Sequence, residues 1–185
     1  MREIYVIGVI HNLVSEKETI DVLEKFNPDQ VMIEVLEEHL KNKKFKEYGK
    51  EFFHAYKWCK KNKKRVIGFD YWKKGWPTSK DMSKSEKKEY KKIEKILIKI
   101  VKRYGWKKFN KKKYENLLDI YVDKAKKSVP YIKEIYEVLP IRQKQMLKNI
   151  RKSMIKKGKL LILTGAGHLD FFQKKLKGAI FPFRE

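Results

Sequence analysis

The chain predicts an α/β fold: a central, mostly parallel sheet formed by both chain ends and flanked by helices, with a basic all-helical insertion. Three observations carry this expectation. Short apolar runs of strand length lie near both ends: EIYVIGVI (3–10), QVMIEVL (30–36), RVIGFD (65–70) and LLILT (160–164). Segments with helical starts separate the first three, giving the β-α-β-α-β order of a layered parallel sheet. Beyond residue 83, apolar residues recur at helical spacing instead.

Taken in order, residues 3–10 read as a buried strand, with a loop at His11–Val14. SEKETIDVLEKF (15–26) starts a helix: Ser15 is a cap, acidic residues fill the first turn, and Ile20, Leu23 and Phe26 form one stripe. Asn27-Pro28-Asp29 is a turn before the second strand. A helical stretch over roughly 37–62 leads to the third. YWKKGWPTSKDMS (71–83) is a loop. Ile93, Ile96, Leu97, Ile100, Val101 and Tyr104 then mark one helix, and Tyr114, Leu117, Leu118, Tyr121 and Val122 another after Gly105. Pro130 and Pro140 punctuate two more helices, the second ending near Gly158. After the fourth strand, HLDFFQKKL reads as a short helix and AIFPF as a last strand. The expected organisation is a single α/β domain over 1–185, with residues 71–139 as the helical insertion.

The 185 residues are enough to bury a core, and 42% hydrophobic with 13% aromatic residues argues against disorder. No apolar run is long enough to span a bilayer, so no membrane insertion is expected. A single cysteine, Cys59, excludes an internal disulfide and fits a reducing, cytoplasmic setting. The net charge of +24 is uneven: residues 1–40 hold three Lys/Arg against nine Asp/Glu, a net of −6, so the remainder carries +30. Only six of the 47 cations are arginine, whereas sequence-specific nucleic-acid readers favour the arginine fork. A solvated lysine surface, of the kind found in thermophilic proteins, and a polyanion-binding surface are both open readings.

KLLILTGAGHLDFF (159–172) resembles the opening of a nucleotide-binding unit but fails as one. Asp170 stands where the third glycine belongs, and too few residues follow for the ribose-binding acid. The loop instead carries Gly165-x-x-His168, and Gly8-x-x-His11 repeats that element after the first strand. Glu34 interrupts a strand in which an unpaired carboxylate would be costly to bury, and Asp70 ends RVIGFD. In open α/β sheets ligands gather beyond the carboxyl ends of the strands, so these four residues are expected on one edge. Two imidazoles and a carboxylate form a common catalytic metal set: His11, Glu34 and His168 would hold a divalent transition ion (Zn, Mn or Co), with a second carboxylate taking protons. His39 and His54 fall in lysine-rich helical stretches and are read as surface or core.

VIGVIHNLVSEKETIDVLEKFNPDQVMIEV resembles the opening of TraB/PrgY-type proteins, and LTGAGHLDFF resembles their C-terminal Gly-x-Gly-His element. PIRQKQMLKNI (140–150) is similar to the family's Arg-Asn-x-x-Met helix start, although Gln143 stands where Asn or Asp usually follows the arginine, and Val9 where Thr is frequent. The grouping includes the Tiki-type proteases and the erythromycin-esterase/ChaN-like fold. The resemblance implies a metal-dependent, peptidase-like hydrolase of peptides or small molecules. His11, Glu34, Arg142 and His168 would form its site, Asp70 their neighbour, and Arg142 would hold developing negative charge.

Two other functions remain open at this level. Lysines interleaved with Trp72, Trp76, Tyr104, Trp106 and Tyr114 suit a single-stranded nucleic acid, while Trp72 and Trp76 could equally form a lid over the strand-end site. The ChaN-like relation implies a non-catalytic, haem-binding regulator as the other.

Overall fold

The computed structural model describes residues 1–184; of Glu115, Asn116 and Leu118 it describes only the backbone. Leu118, expected on an apolar helical face, therefore has a side chain outside the described set. Four strands, β1 (Arg2–Val9), β2 (Gln30–Ile33), β3 (Arg65–Gly68) and β4 (Gly158–Gly165), form one all-parallel sheet in the order β1-β4-β2-β3. The described helices are α1 (Glu16–Phe26), α2 (Glu37–Lys41), α3 (Lys50–Lys61), α4 (Lys84–Tyr104), α5 (Glu115–Ser128), α6 (Pro130–Ser153) and α7 (Leu169–Lys175). No helix among the described residues is long and apolar enough to cross a membrane.

The last strand lies inside the sheet. β4 is paired on both sides, and its Leu160, Leu161 and Ile162 are wholly buried, which explains why LLIL shows no polar alternation. Register places Val9 level with Gly165, and Leu163 level with Ile33, so β1 and β4 end together and β2 ends two residues short of them. Four consecutive carboxyl ends thus stand side by side along one edge.

Local chemistry fixes the elements around that sheet. Ser15 caps α1 by accepting from the Glu18 amide (3.2 Å), while Glu18 accepts from the Ser15 amide (2.9 Å). The stretch expected as one helix over 37–62 is two, α2 and α3. The Leu36 amide, left unpaired at the start of α2, donates to the Tyr48 hydroxyl (3.2 Å), and the chain must fold back to bring Tyr48 there. Pro140 does not separate two helices: α6 runs through it, forgoing one backbone hydrogen bond, and buries Met146, Leu147 and Ile150. That helix ends at Ser153, and Gly158 opens β4 instead. AIFPF contributes one parallel bridge, Ile180 to Tyr5, rather than a strand. Pro182 has no amide with which to extend the pairing.

One tie between the helices of residues 84–153 and the sheet runs through its β1 edge. The 3₁₀ turn Trp106–Asn110 buries Trp106 and Phe109 in the main core. Asn110 then acts as a surrogate strand. Its Oδ1 accepts from the Gly8 amide (2.7 Å) and its Nδ2 donates to the Gly8 carbonyl (2.8 Å), satisfying an edge that no neighbouring strand covers. Asn110→Ala is expected to destabilise the protein by about 2–4 kcal/mol, because both Gly8 groups would be stranded in a buried position. Urea unfolding checks this; a loss of only a few tenths would show that the clamp is dispensable.

Candidate functional site

The expected residues meet at the carboxyl edge of the sheet. Glu34, one residue past β2, is buried, and its carboxylate is surrounded by donors. Oε2 accepts from the Thr164 hydroxyl and the Gly165 amide, both at 2.7 Å. Oε1 accepts from Arg142 Nη2 (2.8 Å) and lies 3.2 Å from His168 Nε2. Arg142, on α6, bonds at the same time to Asp70 Oδ1 through Nε (2.9 Å), so one guanidinium joins the ends of β2 and β3. Asn149, two turns further along α6, donates to the Phe69 carbonyl (3.1 Å) and steadies that chain end.

Electrostatics follow from this bonding. Burial opposes ionisation of Glu34, but the His168 and Arg142 contacts outweigh it and hold the carboxyl well below the usual carboxylate range. Asp70 goes the other way: burial, with Glu34 nearby, raises its pKa despite the Arg142 contact. Burial would discourage the Arg142 charge, yet the two carboxylates raise its pKa further.

The two histidines are held differently. Gln143 donates its Nε2–H to His168 Nδ1 (3.1 Å), leaving the ring proton on Nε2, where it faces Glu34. His11 gives its Nδ1–H to Glu51 Oε1 (2.8 Å), and the other Glu51 oxygen accepts from the Asn12 amide (3.1 Å). Glu51 is fully buried, whereas 44% of the His11 side chain is open to solvent. Desolvation works against a charge on His11, but the Glu51 contact and the Glu34 charge prevail and its pKa lies above the ordinary histidine value.

Both GxxH glycines provide close approach. A Cβ on Gly165 would lie 3.0 Å from His11 Nε2, and a Cβ on Gly8 would lie 2.6 Å from Leu169 Cδ1 and 2.9 Å from Ala166 Cα. Gly165 leaves room for the His11 ring over the sheet edge, and Gly8 lets the β4 loop close over β1.

Two cavities open from this centre. One, of about 540 Å³, is lined by His11, Glu34, Tyr48, Asp70, Trp72 and Arg142 among others. The second, of about 580 Å³, shares His11, Glu34 and Arg142 and adds His168. The Trp72 ring stands over the Arg142 guanidinium, 5.2 Å from its centroid, and meets Trp76 edge-on. Trp106 is buried, and Tyr104 and Tyr114, both half-buried, pack on each other against the core, with Arg103 and Lys108 beside Tyr104 and Lys113 beside Tyr114. His39 Nδ1 lies 2.9 Å from the Tyr48 hydroxyl in the wall of the first cavity.

A divalent ion held by His11, Glu34 and His168 does not fit this arrangement. Each Glu34 oxygen already faces two donors, and the guanidinium places positive charge beside Oε1. His168 presents a proton, not a lone pair, towards the carboxylate. Among the described residues no group of three or more His, Cys, Asp or Glu side chains is gathered to hold a metal.

Glu51 and Thr164 complete the site without having been singled out from the sequence, and Gln143 enters there only as a departure from the family pattern. Glu51 had a legible signal, a carboxylate on the same helical face as Ala55 and Trp58, both buried. Thr164 had a weaker one, as the polar end of LLILT. Gln143 occupies the position at which the chain departs from the TraB/PrgY-type pattern.

Arg142→Met leaves two buried carboxylates without their shared cation, with an expected loss of about 3–5 kcal/mol at pH 7. The sign of its pH dependence follows from Glu34. A carboxyl with a depressed folded-state pKa contributes stability above its unfolded pKa and loses that contribution as pH falls through the folded value. In the variant both acids protonate more readily, so its deficit relative to the native protein should shrink as pH falls from 7 towards 4. Urea midpoints across that range check it; a pH-independent deficit would contradict the ion-pair account.

Comparisons with protein-family models, with curated proteins and with solved structures return no match, so the chemistry of this cleft is the guide to what the protein does.

Proposed function

We propose that the protein is a hydrolase that cleaves a carboxyl ester or amide at the junction of the two cavities. The observation that carries this reading is the His11–Glu51 pair: a buried carboxylate holds the Nδ1–H and leaves Nε2 bare beside the cleft. That is the orientation a general base needs. The resemblance of the two GxxH elements, Glu34 and Arg142 to TraB/PrgY-type proteins supports the same reaction class.

In this mechanism His11 Nε2 takes a proton from water as the water oxygen bonds to the substrate carbonyl carbon. Glu51 stabilises the imidazolium that forms. The carbonyl oxygen gains negative charge, and Arg142 is the donor best placed to meet it. Its Nε and Nη2 serve Asp70 and Glu34, while Nη1 has no hydrogen-bond partner among the described residues. As the bond to the leaving oxygen or nitrogen breaks, His11 returns the proton to that atom. Glu34, ionised and bonded on both oxygens, acts as a positioning residue for Arg142 and His168 and not as a proton carrier.

Steady-state assays with p-nitrophenyl esters and fluorogenic amides, with and without chelator, test the proposal. His11→Ala should lower kcat/KM by about 10²–10⁴-fold. The native rate should rise with pH through a value above the ordinary histidine pKa, since His11 must be neutral to act. Glu51→Gln removes what raises that pKa, so the rising limb should move to lower pH while the circular dichroism spectrum stays native. Activity indifferent to His11→Ala, or none on either substrate class, would overturn the reading. Activity abolished by chelator and restored by Zn, Mn or Co would replace it with an ion held by His11, Glu34 and His168.

A further inference from the structure

The second cavity differs in chemistry from the first, although both begin at Arg142. Its walls come from the loop after β1 and from α4, α5 and α6, through Ile10, Leu97, Ile98, Val122, Ile135 and Leu139. Five of these six are only half-buried. Apart from the polar centre, the charged residue on its lining is Glu94, which is exposed. The other arm is mixed, with Tyr48, Thr78, Ser79 and Lys80 beside Leu36, Phe52 and Trp72 on its wall. A cleft of this kind holds a molecule with two unlike ends, an apolar one fixed by area and a polar one fixed by directed bonds.

The centre constrains what lies between those ends. The carboxylates of Glu34, Asp70 and Glu51 stand within or directly behind it, against the guanidinium of Arg142 and the His11 ring, whose charged form Glu51 and Glu34 favour. A free carboxylate placed there would face more negative than positive charge, whereas an uncharged carbonyl would not. The walls of the second arm are mainly aliphatic, with the rings of Tyr90, Tyr121 and Tyr136 among them, and they leave an open space between three helices.

We infer that the substrate is an uncharged ester or amide of a medium-length aliphatic acid. Its acyl chain lies in the arm between α4, α5 and α6, and its alcohol or amine part lies in the arm under the 71–83 loop. This inference rests on the proposed hydrolytic site for the position of the carbonyl. The same charge balance favours release of the product acid, which is repelled once ionised.

Calorimetric titration of the full chain, and of His11→Ala, with butanamide, hexanamide and octanamide tests it without relying on turnover. Affinity should rise about fourfold for each added methylene, the increment for burying one such group. Leu97→Trp and Val122→Trp each fill the arm from a different helix and should flatten this gradient while butanamide binding persists. Circular dichroism identifies which of the two retains the native fold. Octanoate should bind at least tenfold more weakly than octanamide. No gradient in the native protein, a gradient unchanged in both folded variants, or phenylacetamide binding as tightly as octanamide would overturn the inference. Turnover of short esters without a gradient would sink the chain site alone. A gradient without turnover of any ester or amide would sink the hydrolytic reading alone.

Discussion

The structure depends on one buried carboxylate. Glu34 sits where β2 leaves the sheet, beside the interior strand β4, almost wholly buried at the floor of both cavities. An ionised group there is tolerable only if its lone pairs are filled, and four donors fill them: the Thr164 hydroxyl, the Gly165 amide, Arg142 and His168. Two of these donors, Thr164 and Gly165, end the paired strand β4, and the other two come from α6 and from the turn after β4, which no strand pairing places. Satisfying Glu34 fixes the loop after β4, the roll of α6 about its axis and the His168 ring in one step.

The helical segment between β3 and β4 is consequently part of the site. Beyond its buried apolar side chains, it is tied to the sheet by directed bonds that include the Asn110 clamp on Gly8 and the Arg142 bridge between Glu34 and Asp70. Between those attachments the helices stand away from the sheet edge, and the apolar arm of the cleft is the space they leave. A smaller apolar cluster, Met82, Ile93, Ala125 and Val129, holds the outer part of this segment together without contributing to the main core. Most of the lysine excess lies on surfaces outside both clusters, where solvated charge carries little structural consequence.

Much of this was legible in the sequence, for physical reasons. Strands buried on both faces are continuous apolar runs, and a parallel sheet delivers whatever follows such runs to one edge; His11, Glu34, Asp70 and His168 could be read off on that basis. Arg142 entered through a family resemblance, although it also precedes the buried Met146 and Ile150 by four and eight residues on the α6 face. Strand order, by contrast, is not written locally: nothing in LLILT says that it lies between β1 and β2. The partner of His11 is forty residues away on a helix whose charged residues look alike until one of them is buried. The break of 37–62 into two helices turns on one hydroxyl, Tyr48, reaching one amide, Leu36. The passage of α6 through Pro140 shows tertiary packing overriding a strong local signal.

The state of the His11 ring is the centre of the functional account, and it can be observed directly. Nitrogen-15 NMR of the histidine side chains across pH reports which ring nitrogen carries the proton and where each ring titrates. The account predicts that neutral His11 carries its proton on Nδ1, with Nε2 bare, and that it titrates above the ordinary histidine value because Glu51 and Glu34 favour its charged form. A neutral His11 protonated on Nε2, or one titrating below the ordinary value, would contradict the dyad and with it the assignment of His11 as the base.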